Sequence, residues 1–240
     1  MSIRNIVYIV AAPRPRVGKT LVARLLTDFQ SYNGRPVEAF DLSEPDPAFS
    51  EFLPDVAQPA SIADVKGQMA LFDRLVTEDE TARVVDLGHT QFESFFRIAA
   101  DIDFAGETWR RGIAPVILYV GTPDGTSVEA YAALRPMFRH GALVPVYNEI
   151  LGNAQYRTKF PPAGMTSVSV QIPVLSPALR RAAEQRPFSF HVASADAAGG
   201  LVPDEQAELR QYLRRVNLEF RELELGVLLA DLQSALQAQF

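Results

Sequence analysis

The segment that most constrains the fold of this 240-residue chain lies at its start, where a β-branched run from Ile6 to Val10 stops at AAPRPRVGKT, residues 11–20. Beyond that loop, Leu21, Val22, Leu25, Leu26 and Phe29 recur at helical spacing. A strand that passes through such a loop into a helix opens an α/β sheet whose loop amides and helix N-terminus face an anion, typically phosphate. The ending Gly18-Lys19-Thr20 satisfies G-x-x-x-x-G-K-[ST], but Pro13 stands where the first glycine belongs. Prolines at 13 and 15 remove two N–H donors, fix φ near about −65° and push Ala12 and Arg14 towards extended backbone. The amides from Arg16 through Val17 to Thr20 remain, so the expectation is a stiffened loop that still binds phosphate, with Arg14 and Arg16 supplying charge that glycines lack.

Strands are expected at 36–42, 82–88, 114–121, 142–148 and 167–175, with a further one at 188–193. Helices are expected after Gly18, over 61–76 with Ser61 as N-cap and Asp64 completing a capping box, and over 91–111, 127–138 and 176–185. The Pro- and acid-rich stretch 43–59 reads as a loop. Strands alternating with helices predict a doubly wound, mostly parallel α/β sheet of three layers, whose ligands sit at strand carboxyl ends. The phosphate loop, Asp41, Asp86 and Asn148 all fall at such ends. Residues 1–200 are read as this domain and 201–240 as a C-terminal helical extension, packed on the domain or at a dimer interface. Leu209, Val216 and Leu223, like Leu213, Phe220 and Val227, repeat at seven residues, with an interruption expected at Gly226.

A net charge of −6 argues against a generally cationic surface for nucleic acid or anionic lipid. With no cysteine there is no disulfide, thiolate metal site or cysteine nucleophile, and the cytoplasm is the expected compartment. The apolar run near the start is too short to span a bilayer. His89, His140 and His191 show no metal spacing. Asp86, inside an apolar strand, needs a partner because a buried unpaired carboxylate is costly; Asp41 and Asn148 also fit turn or cap roles.

RPRVGKT resembles the deviant Walker A motif K-G-G-x-G-K-[ST] of the ParA/MinD family of P-loop ATPases, with Arg14 at the signature lysine and Pro15 and Arg16 at the two glycines. FDLSEPDPAF, ending its strand on Asp41, resembles that family's Asp-x-Asp-Pro segment, with Ser43 at the second aspartate. VVDLG resembles the Walker B strand, VPVYNEI the strand carrying the base-contacting asparagine, and QIPVLSPALRRAAEQRPF the late Ile-Pro segment. The resemblance covers about residues 4–190.

It implies ATP and Mg2+ as ligands. Nucleotide contacts are then expected from Arg14, Arg16, Val17, Gly18, Lys19, Thr20, Leu21, Asn148 and Pro173, and magnesium ligation from Thr20 and Asp86. Lys19, Asp41 and Asp86 form the expected catalytic set, Asp41 orienting the attacking water. The implied biology is an ATP-dependent homodimer that positions or partitions a cargo with a protein activator. The final stretch, EFRELELGVLLADLQSALQAQF, carries one arginine and four acids, which disfavours a membrane-binding helix. DNA binding would fall to LRRAAEQR and LRQYLRR, which also read as solvated helix faces. Two alternatives stay open: a nucleotide-binding scaffold without turnover, and an ATP-dependent small-molecule enzyme like dethiobiotin synthetase.

Overall fold

A computed structural model gives the fold and describes residues 5–45, 47–138, 140–152, 158–195 and 200–237. The sheet comprises β1 (Asn5–Ala11), β2 (Val37–Leu42), β3 (Ala57–Pro59), β4 (Ala82–Leu87), β5 (Ile113–Val120), β6 (Ala142–Asn148), β7 (Ala163–Gly164) and β8 (Val170–Ile172). Their order is β3-β2-β4-β1-β5-β6-β7, with β8 also on β6, and every pairing is parallel except β6 with β7. This is the mixed, mostly parallel sheet of a three-layer α/β fold.

Alternation along β1 builds the two outer layers. Ile6, Tyr8 and Val10 enter one core with α1 (Lys19–Tyr32), α7 (Pro177–Ala183), α8 (Phe190–Ala195) and α9 (Pro203–Gln237). Val7, Ile9 and Ala11 enter the other, with α3 (Val65–Leu75), α4 (Phe92–Asp101), α5 (Phe104–Arg110) and α6 (Gly125–Leu134). A strand apolar on both faces is what burial between two helical layers requires.

Several local expectations are corrected. Residues 188–193 do not form a strand: Phe190–Ala195 is helical, and the Asp28 carboxylate accepts hydrogen bonds from the N–H of Phe190 (2.6 Å) and His191 (3.4 Å). Asp28 thus does from α1 what an N-cap residue does locally, and Phe190 and Ala193 share one buried side at a spacing of three. The helix expected over 91–111 breaks at Asp103, whose φ is +50°. The break lets Phe104 and Phe95 both meet the Phe72 ring, at 5.5 and 5.3 Å. The N-cap of α3 is Asp64, accepting from Gly67 N at 2.7 Å, rather than Ser61. The stretch read as a loop holds α2 (Ala48–Phe52) and β3, and of 167–175 only 170–172 is strand.

The last helix runs unbroken through Gly226. A Cβ there would lie 2.8 Å from Thr166 Oγ1 and Val168 Cγ2, so glycine serves close packing of helix on chain rather than a kink. Leu209, Val216, Phe220, Leu223 and Val227, the members of both heptad series except Leu213, are buried in the domain's own core. Glu224 on α9 accepts from Tyr8 Oη (2.9 Å), Gln30 Nε2 (2.9 Å) and Arg35 Nη1 (2.6 Å), which ties the helix to β1 and α1.

Candidate functional site

The parallel strands deliver their carboxyl ends to one rim. Asp86 in β4 pairs in register with Val10 of β1 and Asp41 of β2, which sets the two carboxylates on neighbouring strands next to the loop that leaves β1. That loop bends through two left-handed residues, Arg16 (φ +57°) and Gly18 (φ +94°), before α1 begins at Lys19. At Gly18 a Cβ would collide with Asn148 Nδ2, so the position demands glycine on both conformational and steric grounds.

Lys19 is buried, and its Nζ donates to the Arg14 carbonyl at 2.9 Å, closing the loop on itself. Burial lowers the ammonium below the ordinary lysine range, opposed by the charge of Asp86. Thr20 Oγ1 donates to Asp86 Oδ2 at 2.6 Å, while Asp86 Oδ1 is buried with no hydrogen-bond partner. Burial pushes the Asp86 carboxyl up to about 7; the Thr20 hydroxyl opposes the rise, Asp41 adds to it and Lys19 opposes it. Asp41 accepts from Ser43 N and Ser50 N, both at 2.9 Å, and so anchors the segment leading into α2.

Two clefts open on this rim. One, about 640 Å3, is bordered by the loop from Pro15 to Thr20, by Ser43 to Pro45 and by Gly88 and His89. The other, about 200 Å3, lies under Leu21, Asn148, Pro173 and Leu175. Phe52 and Glu184 border both. Behind Phe52 stands a buried arginine, Arg24, with its guanidinium carbon 3.6 Å from the ring centroid and its nitrogens donating to the carbonyls of Ala183 and Phe188.

Lys19, Thr20, Asp41 and Asp86 are therefore brought together, with Arg16 and Gly18 on the cleft wall. Leu21, Asn148 and Pro173 border the adjoining cleft, and Val17 is buried, its carbonyl accepting from Asn148 Nδ2 at 3.0 Å. Arg14 points elsewhere: its Nε and Nη2 donate to Asp124 Oδ1 at 3.0 and 2.7 Å, and Nη2 donates to Thr126 Oγ1 at 3.0 Å. Sequence reasoning missed Asp124, although Asp-x-x-Ser before a helix is a cap signal. It also missed Arg24 and Phe52, for which an arginine inside an apolar helical repeat was the available sign.

The donor set fits the magnesium ion that the loop motif implies. A hydroxyl beside a buried carboxylate with an orphaned oxygen offers two hard oxygen ligands, leaving further positions for phosphate and water. Among the described residues no group of three or more His, Cys, Asp and Glu side chains converges to hold a metal. Among the described residues, no helix is long and apolar enough to cross a membrane.

Fold and site together define an open α/β protein with a phosphate-loop-like strand, loop and helix at the sheet's carboxyl rim. No family model matches the chain, and no curated protein matches it. Among solved structures, a nucleotide-binding protein in complex with ADP from Archaeoglobus fulgidus is similar at a TM-score of 0.42 and 13% identity, over 78% of this chain and 90% of that one. At that distance nothing about ligand or activity passes from that protein to this chain.

Proposed function

We propose that the chain is a magnesium-dependent, ATP-binding ATPase of the ParA/MinD kind. The observation that carries this reading is the meeting of Lys19, Thr20, Asp41 and Asp86 beside a cleft that adjoins a second, more apolar one under Asn148 and Pro173. Charged phosphates suit the first cleft, with Lys19 and the non-proline loop residues Arg16, Gly18 and Thr20 on its wall; a flat heterocycle suits the second, with Leu21, Pro173 and Leu175.

In this reading Lys19 exchanges the Arg14 carbonyl for phosphate oxygens and neutralises their charge. Thr20 and Asp86 would hold magnesium, whose chemistry when bound is to neutralise charge on the transferring phosphoryl group. Asp41, with each carboxylate oxygen already accepting one amide, retains lone pairs with which to orient an attacking water. The site needs no covalent intermediate.

The finer reading is a cytoplasmic, ATP-dependent homodimer that positions or partitions a cargo under a protein activator. It rests on the likeness of RPRVGKT to the deviant motif, and it requires Arg14 to leave Asp124 in order to reach a partner. The pairing of Arg14 with Asp124 favours a second reading, a nucleotide-binding scaffold that acts without a trans contact. Phosphate release from ATP by wild type, Lys19→Ala and Asp41→Asn, with light scattering in the presence and absence of ATP, separates the two. Turnover abolished by both substitutions, together with ATP-driven doubling of mass, supports the dimeric ATPase. Nucleotide binding without turnover or mass change supports the scaffold.

A further inference from the structure

Three features beyond Lys19, Thr20, Asp41 and Asp86 stand out: a cleft between α1, α8 and α9 beside Arg210 and Arg214, a leucine stripe on the outer side of α9, and the clasp between the phosphate loop and Asp124. Only the clasp connects to identified chemistry. We propose that Asp124 is a positioning residue for the phosphate loop, holding Arg14 so that the Arg14 carbonyl keeps the Lys19 ammonium in place before nucleotide arrives. This rests on the reading of the site as a nucleotide site.

A loop built on Pro13 and Pro15 lacks the glycines by which such loops wrap an anion. Its front half is fixed instead by a side chain. Arg14, between the two prolines, grips Asp124 through Nε and Nη2, with Thr126 Oγ1 as a further acceptor. Asp124 is itself held: its Oδ1 accepts from Ser127 N at 3.2 Å as the N-cap of α6, and its Oδ2 accepts from Thr122 Oγ1 at 2.6 Å. The same Arg14 whose guanidinium is clasped offers its carbonyl to Lys19 Nζ. A continuous path therefore runs from the start of α6, through Asp124 and Arg14, to the amine expected to meet phosphate.

The clasp is half exposed on both sides, at 45% and 36%, so as an ion pair it adds little to global stability. Its consequence is geometric. When phosphate arrives Lys19 exchanges one acceptor for another, and the gain in affinity is the loop freedom that no longer has to be lost on binding.

The test uses Asp124→Ser, because serine keeps the helix cap but is too short to hold Arg14. ATP-magnesium affinity is measured for wild type, Asp124→Ser, Arg14→Ala and the double variant. Each single change is expected to weaken binding about fivefold or more, and the double change no more than either alone, as for two members of one unit. A second reading needs no nucleotide. The chain has three lysines, Lys19, Lys66 and Lys159, so acylation by an amine-reactive reagent can be followed at Lys19 by mass spectrometry against Lys66 as reference. Asp124→Ser should acylate Lys19 several-fold faster than wild type while its melting temperature stays close to wild type. Unchanged Lys19 reactivity, or effects of the two substitutions that multiply, would overturn the proposal. A wild type that binds no ATP would overturn the nucleotide reading, and Lys19 reactivity would still decide the clasp.

Discussion

Asp86→Asn should stabilise the nucleotide-free protein while destroying its capacity for magnesium-dependent binding. The Asp86 carboxyl is fully buried, one of its oxygens lacks any hydrogen bond, and burial raises it from an ordinary 3.8 to about 7. A rise of that size corresponds to about 4 kcal/mol of cost for the ionised form at pH 8. The folded value lies above the unfolded one, so the contribution of Asp86 is intact below about pH 4 and is lost progressively as pH rises through about 7. By the same relation the cost at pH 5 is about 2 kcal/mol. Asparagine keeps an acceptor for Thr20 and carries no charge, but its buried NH2 needs a partner, which returns about 1–3 kcal/mol of the gain. Urea unfolding of both proteins at pH 5 and pH 8 reads the effect of Asp86 together with its charge coupling to Lys19 and Asp41, because titrating groups that do not sense Asp86 cancel in the difference. The stability of Asp86→Asn relative to wild type should rise by about 2 kcal/mol between the two pH values. A pH-independent difference, or a wild type that gains on the variant at pH 8, would mean that Asp86 is not held protonated by its burial.

Gly18→Ala should cost about 1–3 kcal/mol from its left-handed backbone and its collision with Asn148, and should abolish ATP binding; denaturant unfolding and calorimetry read the two effects. Glu224→Ala removes the shared acceptor of Tyr8, Gln30 and Arg35, and should lower stability by about 2–4 kcal/mol, seen as a lower melting temperature with ATP affinity retained. The hydrogen bonds from Arg14, then that from Thr122, draw the Asp124 carboxyl down to about 2. The clasp should therefore persist at pH 4 and open only as pH falls towards 2, followed by the Asp124 carboxyl resonance; titration near 4 would contradict it.

The opening strand, loop and helix announced themselves because two structural periods and a glycine-bearing loop occur in immediate succession. The alignment of Asp41 with Asp86 followed from placing each at the end of an apolar strand, and their adjacency is now explicit in the β2 to β4 register. What failed was set by partners distant in sequence. Residues 188–193 carry too few apolar positions to separate a period of two from a spacing of three, and it is Asp28, 162 residues from Phe190, that tips them into a helix. The seven-residue series on α9 pointed to packing on the domain, with self-association as the alternative, and the burial of Val216, Phe220 and Leu223 in one cluster with α1 and β8 places them in the core of the fold. Arg14 was aligned to a signature lysine by motif position alone. Its guanidinium turns away because a carboxylate 110 residues along lies within reach, and no local pattern encodes that distance.

The first measurement to make is a calorimetric titration of wild type and Lys19→Ala with ATP, in the presence and absence of magnesium. Wild type is expected to bind ATP only with magnesium, and Lys19→Ala not at all. Binding of equal strength in both proteins, or none by wild type, would contradict a nucleotide site built on Lys19, Thr20 and Asp86.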